Sequence, residues 1–302
     1  MINVLGNAIF PILLMATIGA LLGRIVTVDV RSIGRLALFV FSPALIFAYL
    51  YDAEIPSVDV INILTFQAVW LPALYIFCFV LCFVAKLKEQ HRATMLLTTM
   101  FMNAANYGLP VALFAFGSAG LERALIFAVP QHLMSGTLAV YIAASGSVGA
   151  KQALIAVTKM PTFYAVIAAL VLNILNLGLP SAISTPVGLL ADAAIPTMVI
   201  VLGIQLTNVS LKDDLLAAGV ASIVRLIVSP VLALGATLIL GIDGITQQVL
   251  IVLAGMPTAV YTTILATEFQ TRPKQVTSAV ASSTLLSIIT VTTLVWLTQN
   301  YF

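Results

Sequence analysis

Two short runs in this chain hold polar groups where nearly everything around them is apolar. The first reads Asn103-Ala104-Ala105-Asn106-Tyr107-Gly108-Leu109-Pro110. The second reads Gly255-Met256-Pro257-Thr258, with Tyr261, Thr262 and Thr263 just after it. Proline removes a backbone donor and clashes with the preceding turn, so Pro110 and Pro257 each interrupt a helix. Freed backbone groups inside a membrane are tolerable only where protein or a water-filled cavity satisfies them. An interrupted helix presents a second N-terminus, with open N–H groups and partial positive charge, which suits an anionic group. Asn103 and Asn106 can each donate two amide hydrogens, and Thr258 adds a hydroxyl. Tyr107, Gly108 and Thr262 lie beside them, and Tyr261 can supply an aromatic wall. Such neutral donors can hold a carboxylate and let it go. The plainer alternative is a pair of ordinary proline kinks.

Few ionisable side chains fall inside apolar stretches. Arg225 lies too deep to snorkel and is a functional candidate on that ground. It either attracts an anion or is clamped to a carboxylate, with Asp192 as a candidate partner. His132, beside Gln131, suits either proton coupling or a structural hydrogen bond. Gln67 stands five residues before Pro72, as Arg225 stands five before Pro230. Intramembrane hydrolysis or group transfer would need a Ser/His pair, paired Asp, HExxH or clustered carboxylates. HExxH is absent and Asp192 has no second aspartate within the apolar stretches, so an enzyme is not expected. Cys78 and Cys82, at i,i+4 in one apolar run, read as packing residues, and whether a metal ion binds is left open.

The elements that position these groups follow from composition. Of 302 residues, 61% are hydrophobic and 8% charged, against about 25% charged in a soluble domain. Lipid must therefore be the solvent for most of the chain. Stretches of about 20 apolar residues recur near 3–23, 31–51, 62–85, 93–116, 122–144, 154–176, 186–208, 214–240, 245–268 and 274–298. The expected fold is an all-α membrane protein of about ten spans. The gaps are too short for a soluble domain, and no GxxxxGK phosphate loop occurs. The net charge of +2 gives no reason to expect nucleic acid. Arg24, Arg31, Arg35, Lys86, Lys88, Arg92, Lys151, Lys159, Lys212, Arg272 and Lys274 all fall in odd-numbered loops, whereas the even loops and both termini hold Arg123 alone. The positive-inside rule then places both termini outside. The glycosylation sequon Asn208-Val209-Ser210 falls on the cytoplasmic side and is discounted.

Mid-span prolines outline an internal repeat. Pro11 matches Pro161, Pro43 matches Pro196, Gln67-x4-Pro72 matches Arg225-x4-Pro230, and the Asn103 segment falls opposite Gly255-Met256-Pro257. A repeat of five spans must enter the membrane upside down the second time, which is the inverted plan of many secondary transporters. Gly19-x3-Gly23 in span 1 reads as an internal packing face.

Asn103-x2-Asn106-x-Gly108-x-Pro110 resembles the broken fourth helix of the auxin efflux carrier family. Ala254-Gly255-Met256-Pro257 resembles its broken ninth helix, Ala194-Ile195-Pro196 with Gly203 its seventh, and Arg225-x4-Pro230 its eighth. The resemblance covers essentially the whole chain. It implies the ten-span fold shared with bile acid–sodium symporters, with helices 4 and 9 crossing at the substrate site. It also implies scaffold helices 1–2 (residues 1–60) and 6–7 (149–210), and transport-domain helices 3–5 (61–148) and 8–10 (211–302). The activity implied is elevator-type secondary transport of a small organic anion such as a carboxylate. A homodimer through the scaffold helices is compatible with this plan. The short loop between spans 5 and 6 suits a compact carrier of the bacterial inner membrane. Bile-acid symporters carry an acidic residue and a glutamine in helix 9 at their sodium sites. Here that stretch holds Thr258, Tyr261, Thr262 and Thr263. No cofactor is expected; coupling to sodium or protons stays open, and the alternative function is sodium-coupled symport of a bulkier amphipathic anion.

Overall fold

The computed structural model describes residues 1–53, 56–144, 161–207 and 215–302. Lys151, Lys159, Lys212, the sequon at Asn208 and the expected start of span 6 lie outside the described residues. Those that are described form ten helical segments, numbered here by span. They are α1 (Ile2–Ile25), α2 (30–51), α3 (Ser57–Val84), α4a (Glu89–Met100), α4b (104–116), α5 (118–143), α6 (Pro161–Ile174), α7 (Ser181–Thr207), α8 (Leu215–Leu240), α9a (Gly244–Ala254), α9b (Tyr261–Glu268) and α10 (Pro273–Tyr301). Segments 4 and 9 are each made of two half-helices. An apparently continuous helix over Leu109–Gly136 contains Gly117 at φ 69 and ψ −162. That conformation suits glycine and turns the chain, so α4b and α5 are separate elements. Long apolar helices with lipid-facing side chains such as Ile25, Phe83 and Ile239 make this an integral all-α membrane protein.

Proline sets the local shape of four spans. Stretches of π-helix occupy Leu5–Ile9, Ala37–Phe41, Ala104–Gly108 and Val224–Val228. Each ends two residues before a proline: Pro11, Pro43, Pro110 and Pro230. A proline has no N–H for the carbonyl four residues back, and its ring pushes that carbonyl away. The preceding turn widens to i→i+5 instead; Gly108 N–H, for example, donates to Asn103 O at 3.0 Å. Pro72, Pro130, Pro186 and Pro196 sit within helices that show no such stretch.

The helices gather into two groups. In one, α1 packs along α7, and α2 packs on α6 and α7. Glycine makes the first of these contacts close: a Cβ on Gly203 would lie 1.9 Å from Ala16 O, and one on Gly19 would lie 2.2 Å from Ile200 O. Gly23 faces Ile204 of the same helix, so the Gly19-x3-Gly23 face is internal packing. In the other group, α3 packs on α4a and α8, α8 on α9a and α10, and α4a on α10. Arg123 of α5 ties the ends of this second group. It pairs with Asp59 of α3 at 2.5 Å and donates to Thr246 Oγ1 of α9a at 2.7 Å. That pairing neutralises the one basic residue that departs from the loop asymmetry.

Candidate functional site at the crossing of two broken helices

The two breaks meet. Met102 and Thr258 form an antiparallel bridge, in which Asn103 N–H donates to Pro257 O at 2.8 Å and Ala259 N–H to Phe101 O at 2.9 Å. Two β-like hydrogen bonds therefore join the non-helical links, which satisfies backbone that the bilayer could not. Gly108 permits the close approach, because a Cβ there would lie 2.9 Å from Leu253 Cδ2 of α9a. Pro110 and Pro257 are buried at the crossing.

The C-terminal ends of both first half-helices are taken up by one side chain. Arg225, fully buried, donates from Nη1 to Thr99 O of α4a at 2.6 Å and from Nε to Met256 O at 2.9 Å. Its Nη2 donates to Ser229 Oγ at 2.9 Å and to Ala254 O of α9a. The guanidinium also lies 5.7 Å from the ring centroid of Trp70, a cation–π distance. Thr258 Oγ1 adds one more cap, donating to Thr98 O at 2.6 Å. Both sequence expectations for Arg225 need correction. It is neither paired with a carboxylate nor open to an incoming anion, because the partners of its donors are carbonyls and a hydroxyl. Asp192 is exposed on α7 and does not face it. The physical reason is that helix C-terminal carbonyls carry partial negative charge and neutralise a buried cation without any acidic residue. Sequence reasoning missed this because carbonyls have no letter. The one visible signal was Ser229, one turn beyond Arg225.

The N-terminal ends of the second half-helices are different. No hydrogen bond from the N–H groups of Ala105, Asn106 or Tyr107 is seen in the first turn of α4b, nor from Val260 or Tyr261 at α9b, among the described residues. The Asn103 side-chain amide is buried, at 4% exposure, with no hydrogen-bond partner among the described residues; the Tyr107 hydroxyl, at 3% exposure, is buried beside Ser287. Asn106 is half-buried and its side chain bonds to none of the described residues. Backbone or side-chain amides of four residues thus converge on one turn without a partner among the described residues.

Ala105 and Leu109, one turn apart, line a crevice of about 320 Å³ including its mouth. Its other walls are Ser42, Leu45 and Ile46 of α2, Ala128, Val129 and His132 of α5, and Thr162 of α6. It lies between the two helix groups and is narrow, with room inside for about one water. His132 has no hydrogen bond among the described residues. Gln67 and Gln131 are brought together: Gln131 Nε2 donates to Gln67 Oε1 at 3.1 Å, and Gln67 Nε2 to Phe127 O at 3.2 Å. They knit α3 to α5. Thr262 Oγ1 is likewise spent locally, on Ala259 O at 2.7 Å. Tyr261 is 41% exposed at the start of α9b.

Two interrupted helices thus cross inside an all-α membrane bundle, and comparison with known proteins supplies the functional class. The model of the membrane transport protein family matches residues 4–297. The chain belongs to that family. The resemblance to auxin efflux carriers read from the motifs is thereby borne out. An uncharacterized transporter of Methanothermobacter thermautotrophicus is 28% identical over 294 residues, 93% of each chain. Another uncharacterized transporter, from Methanocaldococcus jannaschii, is 28% identical over 221 residues, 72% of each chain.

Proposed function

We propose that this membrane transport protein is a secondary carrier for a small organic anion such as a carboxylate, held at the first turn of α4b where segments 4 and 9 cross. One observation carries the reading: the crossing is electrostatically lopsided. Its C-terminal carbonyls are neutralised by Arg225 and Thr258, whereas its N-terminal N–H groups and the side-chain amides of Asn103 and Asn106 are left as donors without a partner among the described residues. What that turn lacks is an acceptor, and a carboxylate brings two oxygens with about four lone-pair sites. Neutral donors hold an anion without a fixed cation having to be desolvated as well.

The narrow crevice bears on mechanism. An organic anion does not fit while α2 and α6 press against α4b and α5, so loading requires the two helix groups to shift relative to one another. That favours an elevator in which residues 1–60 and 149–210 form the scaffold and 61–148 and 211–302 the moving part. The capped breaks travel inside the moving part as one unit. The charge asymmetry of the loops favours both termini outside, in a bacterial-type inner membrane.

The test is a thermal-unfolding screen of the purified protein against small mono- and dicarboxylates. A ligand that binds only the folded state raises its stability by about 2.7 kcal/mol at a hundredfold excess over Kd. At least one carboxylate should raise the midpoint saturably, with neutral amide analogues inert. Indifference to the whole anion series alongside a response to organic cations or sugars would overturn the reading.

A further inference from the structure

The oxygen atoms around Arg225 form a cage for a positive charge. Thr99 O of α4a, Ala254 O at the end of α9a, Met256 O of the α9 break and Ser229 Oγ of α8 surround one fully buried guanidinium, spread over its three nitrogens. Each half-helix C-terminus contributes roughly half a negative charge, so α4a and α9a together present about one. Unwound carbonyls and half-helix C-termini are the groups with which membrane carriers coordinate small coupling cations. Here the charge that balances them is covalently attached to the chain.

We infer that Arg225 is a built-in cation occupying the position where a carrier of this architecture would otherwise bind a coupling ion, so that the crossing of segments 4 and 9 is held together without sodium. Several features support this beyond the charge count. The guanidinium uses four hydrogen bonds in a fork, a geometry a spherical ion does not need but Arg provides in pre-organised form. Trp70 covers it on one face at 5.7 Å. Arg225 emerges from the π-helical stretch Val224–Val228 that Pro230 imposes, so the sequence of α8 supplies both the charge and the backbone that positions it. Gln67, which stands at the same spacing before Pro72 in α3, is neutral and binds Gln131 and Phe127 instead. The arrangement therefore holds one positive charge. Because α4a, α8 and the α9 break pack on one another, this cation stays with its oxygens whichever way the bundle faces. An external ion would have to be loaded and released in every cycle.

The inference concerns cations alone and is tested with no organic anion present, so its failure would leave the anion reading standing. The full chain is purified in detergent, and its thermal midpoint is followed as sodium chloride replaces choline chloride at constant ionic strength. The wild type should show no saturable response to sodium. Arg225→Ala opens the oxygen cage; its midpoint should fall by several degrees and be raised again, saturably and at millimolar concentration, by guanidinium or sodium but not by choline. Saturable stabilisation of the wild type by sodium would overturn the inference, as would a folded Arg225→Ala protein indifferent to both guanidinium and sodium. Should Arg225→Ala not fold, Arg225→Lys keeps a tethered charge and should remain insensitive to sodium at a lowered midpoint; a sodium response in that variant would count against the inference. The wild-type titration decides the matter even if neither variant can be purified.

Discussion

Replacing Thr258 by valine separates a positioning role from a binding role at the crossing. The two side chains are nearly isosteric, so the change deletes a hydroxyl and little else. Thr258 is fully buried, and its one hydroxyl hydrogen is donated to Thr98 O at 2.6 Å. Thr98 O belongs to the last turn of α4a, where no N–H of that helix remains to meet it. Deleting the hydroxyl leaves a carbonyl without its partner in a water-free place. Leaving one buried polar group unsatisfied costs about 1–3 kcal/mol. Each kcal/mol lowers the midpoint by about 2–4 °C in domains of 150–250 residues, so Thr258→Val should unfold a few degrees lower. Binding of the transported anion to the folded fraction should change little, because the hydroxyl has no second hydrogen to offer a substrate. The assay is a thermal scan of the purified variant followed by equilibrium binding well below its midpoint. An unchanged midpoint with a tenfold loss of affinity would refute this reasoning and return the Thr258 hydroxyl to the substrate.

The converse is expected of Asn106→Ala: its half-buried amide has no partner among the described residues, so the midpoint should hold, while affinity for the anion falls about ten- to a hundredfold, the equivalent of 1.5–3 kcal/mol for one hydrogen bond to a charged group. Binding assays on the folded variant check this, with lipid-facing Leu175→Ala (59% exposed) as the control that should bind normally. Gly203→Ala would place its Cβ 1.9 Å from Ala16 O; a backbone atom cannot step aside cheaply, so overpacking of about 1–3 kcal/mol is expected, and a native midpoint would contradict the close α1–α7 crossing. For orientation, single cysteines at exposed Ser57 and Asp243 should react from outside with an impermeant reagent, and one at Lys88 only after the membrane is opened; the reverse pattern would invert the topology. Cys78 and Cys82 are buried, at 0% and 2% exposure, and are replaced first.

Much of the fold was legible because lipid imposes a simple code. Runs of about 20 apolar residues marked the spans, and Pro110 with the Gly255-Met256-Pro257 run marked the interrupted ones. The ninth-span break falls where expected, at Gly255–Val260, whereas the fourth span breaks at Phe101–Asn103 and Pro110 sits inside α4b, where it widens the preceding turn rather than interrupting the helix. The boundary between the fourth and fifth spans is set by Gly117 and its positive φ, which a count of apolar residues cannot see. The π-helical stretches escaped notice as well, although their rule is visible once stated, since each ends two residues before a proline. The site was legible as a place but not in its wiring. Asn103, Asn106 and Tyr107 stand out as polar letters in apolar text. Arg225 stood out equally, yet its partners are carbonyls of Thr99, Ala254 and Met256. Every residue has a carbonyl, so only the three-dimensional meeting of two helix ends reveals which ones matter. The same limit hid the commitment of Thr258 to Thr98, because a hydroxyl that caps a helix and one that binds a ligand read identically in a sequence.

The most direct test of the central claim is to locate the anion itself. The carboxylate that gives the strongest thermal stabilisation would be replaced by a bromine-bearing analogue, and the bromine found by anomalous scattering in crystals of the complex. The analogue is expected at the first turn of α4b, its carboxylate within hydrogen-bond distance of Asn106 and the N–H groups of Ala105 to Tyr107, with the crevice between α2 and α5 widened around it. A fully occupied analogue bound elsewhere, with the first turn of α4b unchanged and its donors still unpaired, would contradict the crossing as the substrate site.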